Sequence, residues 1–321
     1  MMYPMKLTGV VRSPIWGGVR LPREWNKGTD CETVGESWEL TVRDDGESRV
    51  ENGAFAGMLL RDVLRAHRDE VLGESTGDAD AFPLLIKLID AADRLSVQVH
   101  PDDDYAERVE NDRGKTEMWY IVEAEEGAEI ICGLREGVGR EALSAAIAEG
   151  GVESVLRHIP VHAGECYFIP AGLPHAIGKG ILIAEIQQNC DLTYRVYDYD
   201  RRDKHGNPRE LHVQKALDVI RSFQKEEIAR FRYSRAVSGQ EDAVLADCDY
   251  FRVEKVLLDG EAKILRKNRR MRHLFPLAGE CVLRCGEAEL SLSRGEGVLL
   301  PAACGEVTVC GTGVLLLTLA Y

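Results

Sequence analysis

The chain has 321 residues, of which 45% are hydrophobic and 29% charged, and its net charge is −14. That length allows two domains of ordinary size, the acidic balance excludes a nucleic-acid partner, which needs a basic face, and the absence of any apolar run near about 18 residues excludes a membrane helix. Residues Met1 to Leu7 lack the charged-then-apolar order of a secretion signal, and nine cysteines with no CxxC pair point to reduced thiols rather than structural zinc, so a cytoplasmic protein is expected.

Along the chain, residues 1–50 alternate short apolar runs with Gly and Pro, as strands and turns do. From 56 to 72 the period changes: Leu59, Leu60, Val63, Leu64 and Val71 recur at three and four, which predicts an amphipathic helix. Leu84 to Ile89, Leu95 to Val99, Met118 to Val122 and Ile130 to Cys132 read as strands, with β-branched residues throughout. Residues 140–159 read as one helix broken at Gly150-Gly151. Strands follow at 167–169 and 181–186, and a helix at 211–222. The polar segment 225–242 is the expected linker, which divides the chain into an N-terminal domain at 1–225 and a C-terminal domain at 240–321. Beyond it the sequence reads as short strands cut by glycine turns, ending in the buried strand Gly313 to Ala320, with no helix, as in a sandwich or jelly roll.

One segment echoes another. Gly164-Glu165-Cys166-Tyr167-Phe168-Ile169-Pro170-Ala171 is similar to Gly295-Glu296-Gly297-Val298-Leu299-Leu300-Pro301-Ala302, so two copies of one β-fold are expected. In the second copy Glu306 stands where the first has His175, and only His273 is a histidine beyond residue 212, which leaves that copy little with which to hold a metal.

The residues that could carry chemistry interrupt strand-like sequence. Gln98 and His100 flank Val99 and so share a face of an extended chain. Glu117 precedes the apolar run Met118-Trp119-Tyr120-Ile121-Val122, and His175 sits in the turn Pro170-Ala171-Gly172-Leu173-Pro174-His175. Alone, each reads as a hydrogen-bonded polar group. Together, two imidazoles and a carboxylate suit a divalent metal of borderline softness, and a Gln oxygen can complete the set. Trp16, Trp38 and Trp119 read as core aromatics.

These strings resemble the type I mannose-6-phosphate isomerases in their short bacterial form. The resemblance rests on Gln98-Val99-His100-Pro101-Asp102-Asp103, Gly114-Lys115-Thr116-Glu117 and Pro170 through Ala176. It extends to Pro14 through Gly18, Gly35 through Leu40, the run from Glu185 to Arg201 and Leu211 through Leu217. It is dense from about residue 10 to 220 and thin after 240. The resemblance implies a mainly β protein: a cupin (jelly-roll) catalytic domain with helical insertions, and a smaller cupin-like domain behind it. It further implies one zinc per chain, held by His100, Glu117, His175 and Gln98, with Lys115, Arg195, Glu185 and Asp191 as active-site residues. A small phosphorylated sugar is the implied substrate.

Aldose–ketose isomerisation needs a proton removed beside a carbonyl and the resulting negative charge stabilised. Lys115 is the expected base, with Asp191, Glu185 and metal-bound water open as alternatives, and Arg195 is the expected clamp on phosphate or developing anion. Two rival readings place the same residues in a metal-dependent cupin oxidoreductase or in a non-catalytic sugar-binding cupin. Gln98 in place of the first histidine of an HxH pair disfavours the former, and retention of Lys115 and Arg195 the latter.

Overall fold

The computed structural model describes every residue except 1, 76–81, 203–204, 224–225, 229–231, 234–242, 262 and 266–268. Three β-layers are stacked. In the first, a five-stranded antiparallel sheet runs in the order Leu156–Pro160, Glu129–Leu134, His175–Ile177, Val97–Val99, Tyr194–Tyr197. In the second, a seven-stranded sheet includes Cys166–Ile169, Glu117–Ala124, Ile181–Gln188, Leu84–Ala91 and Glu36–Leu40 as consecutive neighbours. Trp119, Ile121, Ile130, Tyr167, Ile169 and Ile183 fill the space between these two sheets. This is the jelly-roll sandwich expected of the catalytic domain.

The third layer is a nine-stranded sheet built mostly from residues after 242. Its inner face, with Met271, Phe275, Leu299 and Leu316, packs on Leu84, Ile86, Leu88, Met118 and Ala184 from the outer face of the seven-stranded sheet. The middle sheet is therefore covered on both sides. That is why Leu84–Ala91 and Ile181–Gln188 are near-continuous apolar runs rather than alternating ones; all eight residues of each are buried. The far face of the five-stranded sheet is closed by the helices Arg140–Ala148 and Val213–Val219 through Leu143, Ala216 and Leu217.

The two echoing segments adopt the same local structure. Gly164 and Gly295 both take left-handed φ, 89° and 83°, where a side chain would be strained. The acid next to each, Glu165 or Glu296, accepts through its carboxylate from the backbone N–H three residues earlier, at 3.1 and 2.8 Å. Each turn then feeds a strand, Cys166–Ile169 or Val298–Leu300. Glu306 is exposed in the second copy.

Several expectations need correction. The helix expected across 140–159 exists only as Arg140–Ala148; Val152–Val155 is a short 3-10 turn and Leu156–Pro160 an edge strand paired with Glu129–Leu134. Gly150, with φ of 73°, ends the helix, and pairing with a neighbouring strand overrides the helical reading of residues 156–159. The helices expected at 56–72 and 211–222 are shorter, Leu60–Leu72 and Val213–Val219. The C-terminal strands are not all short, since Arg272–Cys285 and Val307–Ala320 run 14 residues each. The expected linker at 225–242 lies mostly outside the described residues, although Arg232–Tyr233 pairs with Cys166–Ile169. Met5–Thr8 pairs with Val298–Leu300, so the first strand of the chain joins the C-terminal sheet across the expected division. Among the described residues no helix is long and apolar enough to cross a membrane.

Candidate metal centre and active site

The site lies at the polar end of the jelly-roll interior. Val97–Val99 is flanked by two antiparallel strands, and Gln98 faces His175 on one side and Arg195 on the other. Directly paired residues share a face of the sheet, so all three side chains lie on the inner side, opposite Val97 and Val99, which pack against the outer helices. His100 comes next, at the end of the same strand. Glu117 enters from the facing sheet, where it pairs with Ile169 and Gln187.

His100, Glu117 and His175 come together, fully buried, with one ligand atom from each within 4.8 Å of the others. His100 Nε2 lies 3.5 Å from Glu117 Oε2, and His175 Nε2 lies 3.4 Å from Glu117 Oε1. Each Nδ1 is 2.8 Å from a backbone carbonyl, Leu192 for His100 and Leu173 for His175. A carbonyl only accepts, so each ring carries its proton on Nδ1 and turns a lone pair inward at Nε2. Neither Nε2 nor either Glu117 oxygen has a hydrogen-bond partner. Four inward-facing acceptors in a dry site are costly unless a cation satisfies them. Donors bound at about 2.0–2.2 Å to one zinc would stand about 2.8–3.6 Å apart, which these separations match. Burial, aided by Lys115, lowers His100 to about 3, so the imidazole stays neutral.

Lys115 Nζ lies 3.2 Å from Glu117 Oε2. Its loop is held by the helix Asp103–Glu110, which sequence reading did not identify. That helix is capped by Asp102, whose side chain accepts from the Tyr105 N–H at 3.0 Å. Lys115 N–H donates to the Pro101 carbonyl at 3.0 Å, and Gly114 N–H to the Asp103 carboxylate at 2.8 Å. A Cβ on Gly114 would stand 2.4 Å from the Asp103 nitrogen, so only glycine permits this approach. Burial works against the Lys115 charge, but Glu117 and Glu185 outweigh it and raise the pKa.

Glu185 is 3% exposed and accepts from Trp119 Nε1 at 3.0 Å. Burial, reinforced by the Glu117 charge, raises it to about 7 against the opposing pull of Lys115 and Lys87. Burial also acts upward on Asp191, but Lys87 and Lys115 outweigh it and hold that carboxyl below its ordinary value. Arg195 is half-buried. It donates to Ser96 Oγ at 3.3 Å and to the Glu210 carbonyl at 2.8 Å, both neutral, and no carboxylate lies within ion-pair distance among the described residues. Burial and the neighbouring Arg209 both lower its pKa.

Lys87 was not singled out from the sequence. It is buried, 3.2 Å from Asp191, 3.5 Å from Glu36 and 3.8 Å from Glu185, and it lies 5.0 Å from the Trp38 ring centroid. The available signal was a lysine in the middle of the apolar run Leu84 to Ile89. Trp16, Trp38 and Trp119 are buried, as expected of core residues, although Trp38 also faces Lys87.

Residues 5–134 match the family described as phosphomannose isomerase type I, catalytic domain, and residues 241–319 the mannose-6-phosphate isomerase cupin domain. A mannose-6-phosphate isomerase of Streptococcus mutans is 40% identical over 301 residues, 94% of this chain and 93% of that protein. One of Bacillus subtilis is 37% identical over 96% of each chain. The crystal structure of the mannose 6-phosphate isomerase from Bacillus subtilis superposes with a TM-score of 0.87 at 34% identity, covering 99% of each chain. The apo enzyme from Salmonella typhimurium, at 18% identity and a TM-score of 0.77, shares the fold over the full length of both chains. With relatives this similar over nearly all of its length, the chain belongs to the type I phosphomannose isomerase family.

Proposed function

We propose that this protein interconverts mannose 6-phosphate and fructose 6-phosphate through an enediol(ate), with one Zn²⁺ per chain at His100, Glu117 and His175 and with Gln98 as a fourth donor. The observation that carries the reading is the set of inward-facing Nε2 and carboxylate atoms on those three buried residues, which have no hydrogen-bond partner and only the Lys115 ammonium beside one Glu117 oxygen. The names of the relatives supply the substrate. A zinc ion held there supplies Lewis-acid stabilisation of negative charge on the sugar's carbonyl oxygen, without redox side reactions.

The remaining roles fall to the chain's own side chains. Lys115 is the base expected from the sequence, but Glu117 and Glu185 raise its pKa and hold it as an ammonium, so its role here is to donate hydrogen bonds to the oxygens on which charge develops. A base must have a free lone pair near neutral pH; Glu185, raised to about 7, meets that condition, whereas Asp191 is held too acidic to be an effective one. Arg195, with no carboxylate partner among the described residues, grips the phosphate at the mouth of the site with a planar fork of donors. The barrel around Trp119 and His175 excludes water and so strengthens each of these interactions.

Metal analysis beside a coupled assay on mannose 6-phosphate tests this reading. We expect about one zinc per chain, loss of activity on chelation and recovery with Zn²⁺. His100→Ala and His175→Ala should lose metal and rate together. Full activity in metal-free protein would overturn the assignment.

A further inference from the structure

Nine free cysteines are distributed through the chain, and among the described residues one pair of their sulfurs is in contact: Cys285 Sγ and Cys304 Sγ, 3.1 Å apart. We propose that this pair is an oxidisable dithiol that closes to a disulfide on exposure to a hydroperoxide and staples two parts of the C-terminal sheet. Cys285 ends the strand Arg272–Cys285 and pairs with Ala288 across a hairpin turn. Cys304 lies just past the Pro301-Ala302 turn, where its N–H donates to the Pro301 carbonyl at 2.9 Å.

Exposure divides the roles. Cys304 is fully buried, and burial together with its contact to Cys285 pushes its thiol up to about 12. Cys285 is half-buried and so within reach of a small oxidant. The Cys285 sulfur attacks the hydroperoxide, breaking the O–O bond and becoming a sulfenic acid while the peroxide is reduced to alcohol or water. The Cys304 sulfur then displaces the sulfenic oxygen. The S–S bond forms as the S–O bond breaks, and the Cys304 proton leaves with the hydroxyl as water. No long movement is needed, because the two sulfurs already touch. The staple would act on more than the hairpin. The backbone N–H groups of Ala302 and Ala303 donate at 2.8 Å to the carbonyls of Val71 and Glu70 at the end of the helix Leu60–Leu72. The closed loop therefore tethers a segment that also docks on the catalytic half of the molecule, and closing such a loop stabilises mainly by restricting the unfolded chain.

The test treats the intact enzyme with hydrogen peroxide, blocks the remaining thiols by alkylation, and maps peptides without reduction. We expect a Cys285–Cys304 cross-link and a thiol count falling from nine to seven. We also expect an upward shift of several degrees in Tm that dithiothreitol reverses, with isomerase activity unchanged. In Cys304→Ser the cross-link should vanish and a dimedone adduct should appear on Cys285, which distinguishes loss of the partner from loss of the fold. Recovery of Cys304 as a free alkylated thiol after treatment, or a cross-link that leaves Tm unmoved, would overturn the proposal.

Discussion

Arg195 makes its hydrogen bonds away from the histidine–glutamate cluster, so the two roles proposed for them can be tested apart. The side chain shares a sheet face with Gln98, yet its hydrogen bonds go to Ser96 and the Glu210 carbonyl rather than to the histidine–glutamate cluster. Arg201 and Arg209, by contrast, are both paired with the Asp198 carboxylate. Arg195→Ala should therefore keep stoichiometric zinc and a normal fold while kcat/KM falls by about 10²-fold, the usual loss when a charge-stabilising donor is removed. Arg195→Lys should recover only part, since an ammonium cannot reproduce the planar fork. A rise in KM alone would place the contact in the ground state, and a fall in kcat would place it in the transition state.

Glu185 makes a second prediction at this scale, one of pH. Its carboxyl is raised to about 7, first by burial and then by Glu117, so its basic form accumulates as pH rises. kcat/KM should climb through an acid limb at or somewhat below that value, because a cation at Glu117 offsets part of the shift. Glu185→Gln should remove the limb as well as most of the rate. A limb that persists unchanged in the variant would reassign the proton transfer to another group.

Between residue and fold stand the elements that aim these side chains. The loop bearing Lys115 is set by the helix Asp103–Glu110 and by the closeness of Gly114 to it. Gly114→Ala would force backbone against backbone and lift Lys115 from Glu117. A displacement near 1 Å can cost about 10²-fold in rate. We expect kcat/KM to drop by that order, while Gly139→Ala, whose Cβ would meet only the Glu141 carboxylate at 3.6 Å, should leave activity unchanged. Equal activities for the two variants, measured side by side, would show that the close approach is not what holds the lysine.

Taken whole, the molecule is a stack in which the catalytic sheet shares a core with the C-terminal one. Met5 and Leu7 from the first strand, Phe275 and Leu299 from the last third, and Leu84 and Met118 from the middle all belong to one buried cluster. A core common to both halves makes their unfolding a single event. Phe275→Ala should cost about 3–5 kcal/mol, and calorimetry should show one transition at lower temperature, with activity lost along the same curve. Two separated transitions, with catalysis surviving the first, would indicate that the C-terminal sheet is dispensable.

Much of the site was legible because metal ligation demands particular atoms. Gln98 and His100 at a spacing of two, and a Gly-Lys-Thr-Glu string before an apolar strand, keep their meaning in one dimension. So did the repeated Gly-Glu turn, whose hydrogen bonds span only three residues. What sequence alone missed depended on neighbours distant in the chain. Whether residues 156–160 form helix or strand was decided by pairing with Glu129–Leu134. Lys87 reads as an interruption in an apolar run until folding brings Glu36, Glu185 and Asp191 within 3.8 Å of it. Local sequence determined which atoms could bind a cation and where glycine must turn the chain, because those are properties of single residues and short spans. Tertiary structure decided which charges are buried together, and hence which carboxyl is left near neutrality, because desolvation and charge coupling exist only once distant strands lie side by side.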